Sequence, residues 1–279
     1  MRIRIRHVTH YRYDRPIELA AQIVRLAPRD HDGQRVLSWR VTDAAGKPLP
    51  RIEDGYGNLC HVATMPRHHA ESAVIAEGEI ETSDTSGMVR GAAERLPPLY
   101  YLRRTAMTMA DAAIEALAAE HAHGSDAIER LHRLTRTIRD RVAYEVGATD
   151  SATSAAEALA RGRGVCQDHA HVLIACARLL GLPARYVSGY LYEGPRDTPG
   201  EASHAWAEVH VERLGWIGFD AANGVSPTGS YARVAIGLDY REAAPIRGIR
   251  RGTAVEALDV TVDVRQTQAQ QMQSQIQAH

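Results

Sequence analysis

Gly162-Arg163-Gly164-Val165-Cys166-Gln167-Asp168-His169-Ala170 carries a glycine-broken loop straight into an apolar helix and sets a cysteine at the junction. Upstream, Ser154 and Glu157 have the spacing of a capping box, so a short helix spans Ala155 to Arg161 and breaks at Gly162. Downstream, a long helix runs from about Cys166 to Leu180 and stops at Gly181-Leu182-Pro183. At ~100° per residue, Ala170, Leu173, Ala177 and Leu180 lie within roughly 40° of Cys166. The cysteine therefore heads the stripe that faces a covering sheet, while Asp168 and His171 point to the other side. Free amides at a helix N-terminus favour negative charge. A thiol placed there can fall from a pKa of ~8.5 into the range of about 3.5–7.5. Gly162 and Gly164 let backbone approach a substrate closely, and the backbone N–H of Cys166 is a candidate oxyanion donor. The same position also suits a plain core cysteine, so its partners decide.

Two strands supply them. One runs from His204 to Val211 and the next from Trp216 to Asp220, around a turn at Arg213-Leu214-Gly215. His204, Trp206, Glu208 and His210 share one face of the first strand, and Ala205, Ala207, Val209 and Val211 the other. Antiparallel pairing brings the start of one strand near the end of the next. His204 and Asp220 are then neighbours or diagonal neighbours, with the register left open. A thiol, an imidazole and a carboxylate so arranged form a nucleophile, its base and the group that orients the base. His169, about 60° from Cys166 on the helix, is the rival base. Asp168 reads as a first-turn acid that complements the helix dipole. Gln167 and Gly164 are candidates for substrate or oxyanion contact. Trp206 is either core or a wall of the cleft.

The first hundred residues have a different character. Ile3 and Ile5 alternate with Arg2, Arg4 and Arg6, and Leu37, Trp39 and Val41 alternate likewise. Asp43–Pro48 and Asp54-Gly55-Tyr56-Gly57-Asn58 are turns, and Ala73–Ile80 is a further strand. Together these predict a small antiparallel β-sandwich over 1–98, with 87–98 as a linker. Helices follow over Thr108–His121, stopped near Gly124, and from Asp126, which has Glu129 at capping-box spacing, to about Tyr144. The helices and strands of 99–245 form the core of an α+β protein. Leu258, Val260, Val262 and Val264 alternate with polar residues, so 246–265 is expected to return as a strand to the first sheet. The stretch 193–201 is rich in glycine and proline and is a candidate lid. The glutamine-rich 266–279 has little to bury and is expected to be disordered.

With 33 basic and 34 acidic residues the chain has no electrostatic footprint for nucleic acid or an anionic membrane. Cys60, Cys166 and Cys176 do not read as a disulfide framework and suit a reducing compartment. The start has no apolar signal region and no run of about 18 apolar residues follows, so a cytoplasmic location is the expectation. Cys166, His169, His171 and Cys176 crowd together, but the two cysteines are ~15 Å apart along one helix and cannot share a metal ion. No metal and no cofactor are expected, and no phosphate-binding glycine signature is present.

Four segments in order carry a resemblance. They are Gly162–Ala170, Gly181-Leu182-Pro183-Ala184-Arg185-Tyr186-Val187-Ser188-Gly189-Tyr190, Ser203-His204-Ala205-Trp206-Ala207-Glu208 and Gly215-Trp216-Ile217-Gly218-Phe219-Asp220. The chain resembles the bacterial transglutaminase-like superfamily in these motifs, and the order Cys, His, Asp is that family's order. His7–Pro16 and Asp54–Asn58 resemble the β-rich domain that precedes the core in one branch. The resemblance covers nearly all of the chain except the tail. It implies a papain-like α+β core with Cys166, His204 and Asp220 as catalytic residues and a peptide or protein amide as substrate. Members include proteases, amidases and cross-linking acyltransferases. The expected reaction is hydrolysis through a thioester; amine transfer and an idle binding module are the alternatives. The sequence departs from the family pattern in two places. Ala221-Ala222-Asn223 stands where Pro-Thr commonly follows the Asp, and Tyr231 and Leu238 stand where His and Arg are frequent.

Overall fold

Ile3 and Ile5 are fully buried while Arg4 and Arg6 face solvent, so the two-residue alternation at the start of the chain is that of a strand with one face in a core. In the computed structural model, which describes residues 1–65, 69–124, 126–194 and 202–267, this strand is β1 (Arg2–Ile17). It is followed by β2 (Leu19–Ala27), β3 (Gln34–Asp43), β4 (Arg51–Glu53), β5 (Leu59–Met65), β6 (His69–Thr82) and β7 (Met88–Val89). Then come α1 (Ala112–Glu120), α2 (Ala127–Arg141), β8 (Ala143–Tyr144), α3 (Ala155–Arg161), β9 (Arg163–Gly164) and α4 (Cys166–Leu179). The chain continues through β10 (Ala184–Leu191), β11 (Ser203–Val211), β12 (Gly215–Phe219), β13 (Tyr231–Gly237), α5 (Tyr240–Ala243), β14 (Ile246–Arg251) and β15 (Glu256–Gln266).

The sandwich is built from both ends of the chain. One sheet has the order β15-β1-β6-β3 and the other β14-β2-β5-β4. The 246–265 segment, expected as one strand, forms two, one in each sheet. Val262 of β15 joins Ile3, Ile5, Val24, Leu26, Val74 and Ile80 in the buried interior. β2 went unpredicted, as did β13. Tail residues 268–279 and most of the candidate lid (195–201) lie outside the described residues.

The second unit is an antiparallel sheet, β13-β10-β11-β12-β7, with helices on one face. β7 lies inside the stretch expected as a linker; its Val89 pairs with Trp216. Ala205, Ala207, Val209 and Val211 of β11 pack against the α4 stripe of Ala170, Leu173 and Ala177. Helix α1 starts later than predicted, because Ala106–Thr108 is a 3-10 turn and Asp111 is the cap, accepting from the Ile114 N–H at 2.9 Å. Asp126 caps α2 through the Ile128 N–H at 2.8 Å, but Glu129 reaches Arg133 at 2.8 Å instead of completing the box. The Ser154–Glu157 box is complete, and Gly162 ends α3 in the left-handed region at φ 64°, where glycine carries no Cβ penalty.

The other sheet face lies against the sandwich. There, two side-chain amides occupy the open edge of β13. Gln34 Nε2 donates to the Arg233 carbonyl and Gln34 Oε1 accepts the Arg233 N–H, both at 2.8 Å. Asn58 does the same to Ile236, again at 2.8 Å both ways. Each amide stands in for one residue of a neighbouring strand, which removes the exposed hydrogen-bonding row that an edge strand otherwise presents.

Candidate active site

α4 begins at Cys166, whose side chain is half-buried and free of any disulfide. Asp168, three positions after Val165, accepts the Val165 N–H at 2.8 Å and the Thr149 hydroxyl at 2.6 Å. This cap fixes the turn that delivers the thiol. A Cβ on Gly164 would lie 2.6–2.8 Å from the Asp168 side chain, so glycine is required there by the cap itself. Burial raises the Asp168 pKa.

His204 enters from the first turn of β11. Its Nε2 donates to Asp220 Oδ2 at 2.6 Å, and the ring lies near enough to the Cys166 thiol to be affected by it. With Nε2 committed to the carboxylate, Nδ1 is the nitrogen left for the sulfur. The strands pair with Ala207 opposite Phe219. Asp220 therefore lies one step past that pair and His204 three steps past it, a diagonal relation that the long imidazole spans. Burial by itself depresses an imidazole, yet hydrogen bonds and charge from Asp220 and Cys166 outweigh it and hold the His204 pKa up at about 10.

Asp220 is fully buried, and its carboxylate accepts five hydrogen bonds. Oδ2 receives His204 Nε2, the Tyr231 hydroxyl at 2.7 Å and Asn223 Nδ2 at 2.8 Å. Oδ1 receives the backbone N–H groups of Ala222 and Asn223 at 3.0 and 3.2 Å. Burial pushes the carboxyl upward, but the His204, Tyr231 and Asn223 donors and the imidazole charge bring it below the usual carboxylate range.

The structure thus brings Cys166, His204 and Asp220 together. The other candidates are engaged in contacts of their own. Trp206 is 2% exposed and stacks beneath His204, with ring centroids 6.3 Å apart, and against Tyr231 at 5.4 Å. Of the two readings for Trp206, core or cleft wall, its burial fits the core. The Gln167 amide donates to the Asp150 carbonyl at 3.4 Å. Gly164 accommodates Asp168. The rival base His169 has both ring nitrogens on carbonyls, those of Val165 and Val142, each at 2.8 Å, so neither is free to take a thiol proton. His171 is buried and accepts the Tyr240 N–H at 3.1 Å; burial drives its pKa down to about 3. Burial raises the pKa of Tyr186 and Tyr240, and the electrostatic influence of Cys166 adds to it. Cys176 is a core residue whose pKa burial pushes up to about 12. Among the described residues no group of three or more His, Cys, Asp and Glu is arranged to hold a metal.

Tyr231 and Asn223 stand out in the sequence only as departures from a pattern. No spacing rule links residue 231 to Asp220, because a loop and a strand crossing separate them.

Comparison with known proteins gives two matches to family models. The transglutaminase-like superfamily core matches residues 115–221, and the bacterial transglutaminase-like N-terminal region matches residues 3–81. An uncharacterized protein of Mycobacterium leprae is 30% identical over 275 residues, covering 94% of this chain and 98% of its own. An uncharacterized protein of Mycobacterium tuberculosis is 31% identical over 291 residues, covering 94% and 92%. Among solved structures, a candidate cysteine protease from Cytophaga hutchinsonii superposes with a TM-score of 0.76 at 22% identity over 96% of this chain and 91% of that one; this likeness is one of fold.

Proposed function

Because the chain belongs to the transglutaminase-like superfamily and carries its bacterial N-terminal region, we propose that it is a cysteine-nucleophile hydrolase of peptide or amide bonds. One observation carries this reading: a half-buried thiol at a helix N-terminus meets an imidazole whose far nitrogen is 2.6 Å from a buried carboxylate.

The chemistry follows from that meeting. His204 Nδ1 takes the thiol proton, and Cys166 Sγ attacks the substrate carbonyl carbon. The charge on the carbonyl oxygen is met by the backbone N–H of Cys166, an amide of the first helical turn with no intrahelical acceptor. His204 then gives its proton to the leaving amine, and the acyl group remains as a thioester on Cys166. Water, deprotonated by His204, attacks the thioester and releases the acid. Asp220 keeps Nε2 protonated and the ring in place throughout.

Two measurements test the proposal. Iodoacetamide labelling of Cys166 is expected to be fast near neutral pH and to slow markedly in His204→Ala; identical labelling in both across the pH range would leave an idle binding module. Ammonia release from a glutamine peptide, measured with and without a primary amine, separates water from amine as acceptor. Hydrolysis predicts no incorporation of the amine. Incorporation at a rate matching ammonia release would make the protein a transglutaminase.

A further inference from the structure

We propose that Tyr231 and Asn223 are positioning residues for the reaction, acting through Asp220 to fix the charge and proton placement of His204. The inference rests on the hydrolase reading and adds to it how the histidine is kept ready.

Oδ2 of Asp220 is shared by three donors: His204 Nε2 at 2.6 Å, the Tyr231 hydroxyl at 2.7 Å and Asn223 Nδ2 at 2.8 Å. Oδ1 takes two backbone amides. A carboxylate surrounded only by donors has no vacant direction in which to carry a proton of its own. It therefore stays an acceptor, and the His204 proton stays on Nε2. Nδ1 is left as the basic nitrogen, on the side of the thiol. Burial opposes this state, since a fully buried carboxyl favours its neutral form. The His204 bond and charge oppose burial most, and the Tyr231 and Asn223 side-chain donors add to them on the same oxygen.

The placement of the donors is rigid. Tyr231 opens β13, packs edge-on against Trp206 at 5.4 Å and against His204 at 5.8 Å. Asn223 sits in the turn that closes back on Asp220, where the Gly224 N–H donates to the Asp220 carbonyl at 2.8 Å. The titratable groups facing the carboxylate are His204 from β11, with Cys166 of α4 beyond it, and Tyr231 from β13; from α2, Arg139 lies against the neighbouring Gly224.

The test is the pH dependence of Cys166 alkylation by iodoacetamide in the full chain, compared among wild type, Tyr231→Phe, Asn223→Ala, the double variant and His204→Ala, with thermal melting as a check on folding. Loss of either donor raises the Asp220 pKa, so the carboxylate protonates earlier as pH falls and the imidazolium loses its support. The acid limb of the profile is expected to move up by about one pH unit in each single variant, the scale set by one charge-assisted hydrogen bond, and further in the double. Variants that melt lower but keep the wild-type limb would show a packing role only and overturn the inference. A His204→Ala profile that coincides with wild type would instead remove the hydrolase reading beneath it. Two single variants at separate positions keep the test decisive if one of them fails to fold.

Discussion

Gly164 shows how much a single residue constrains the site. The Asp168 carboxyl group sits where a side chain at 164 would go, and its bond to the Val165 N–H sets the turn before Cys166. Gly164→Ala is expected to cost about 1–3 kcal/mol, the usual penalty of overpacking, in urea unfolding. It should also slow Cys166 labelling, because the displaced cap no longer holds the turn. The glycine was noticed in the sequence for its freedom to approach a substrate. The structure assigns it another task, and only the folded neighbour reveals it.

At the scale of the element, β13 matters most. It is an edge strand, it was not predicted, and it carries Tyr231. Its outward backbone groups at Arg233 and Ile236 are satisfied by Gln34 and Asn58, both buried. Replacing either amide leaves a buried N–H and carbonyl without partners. Gln34→Ala and Asn58→Ala should each lose about 1–3 kcal/mol in urea titration, and their effects should add approximately, since they act at separate residues of the strand. By contrast, α3 and α4 were legible from sequence, because capping, glycine stops and apolar spacing are all local signals. The helical face of Cys166 was legible for the same reason.

Across the whole molecule, a buried ion cluster ties three strands of the core sheet together on the face that the sandwich covers. Glu208 binds Arg185 at 2.6 Å and Arg233 at 2.7 Å; Arg185 also binds Glu94 at 2.7 Å and lies over the Trp216 ring at 3.8 Å. Burial pushes the Glu208 pKa up, but the two arginines more than reverse this and bring it to about 2. A carboxylate depressed in the folded state contributes stability above its ordinary pKa of 4.5 and loses it as pH falls toward 2. The thermal midpoint should therefore drop across that window, and Glu208→Gln should flatten the slope. Glu208→Ala leaves two arginines without their shared partner and should cost about 3–5 kcal/mol. Deleting the chain after residue 245 removes β14 and β15, an edge strand from each sandwich sheet. It is expected to abolish cooperative unfolding of the sandwich in a thermal melt.

The sequence by itself determined the α+β architecture, the family, the helix that begins at Cys166 and the strands that carry His204 and Asp220, because each is encoded by periodicity, caps and short motifs within a few residues. Tertiary structure alone decided how the site is held. The donors around Asp220, the stacking of Trp206, the amides on β13 and the carbonyl contacts that occupy His169 join residues up to 199 positions apart. The longest of these contacts arise where the sandwich meets β13 and where strands distant in sequence lie side by side, and no local pattern in the chain records them.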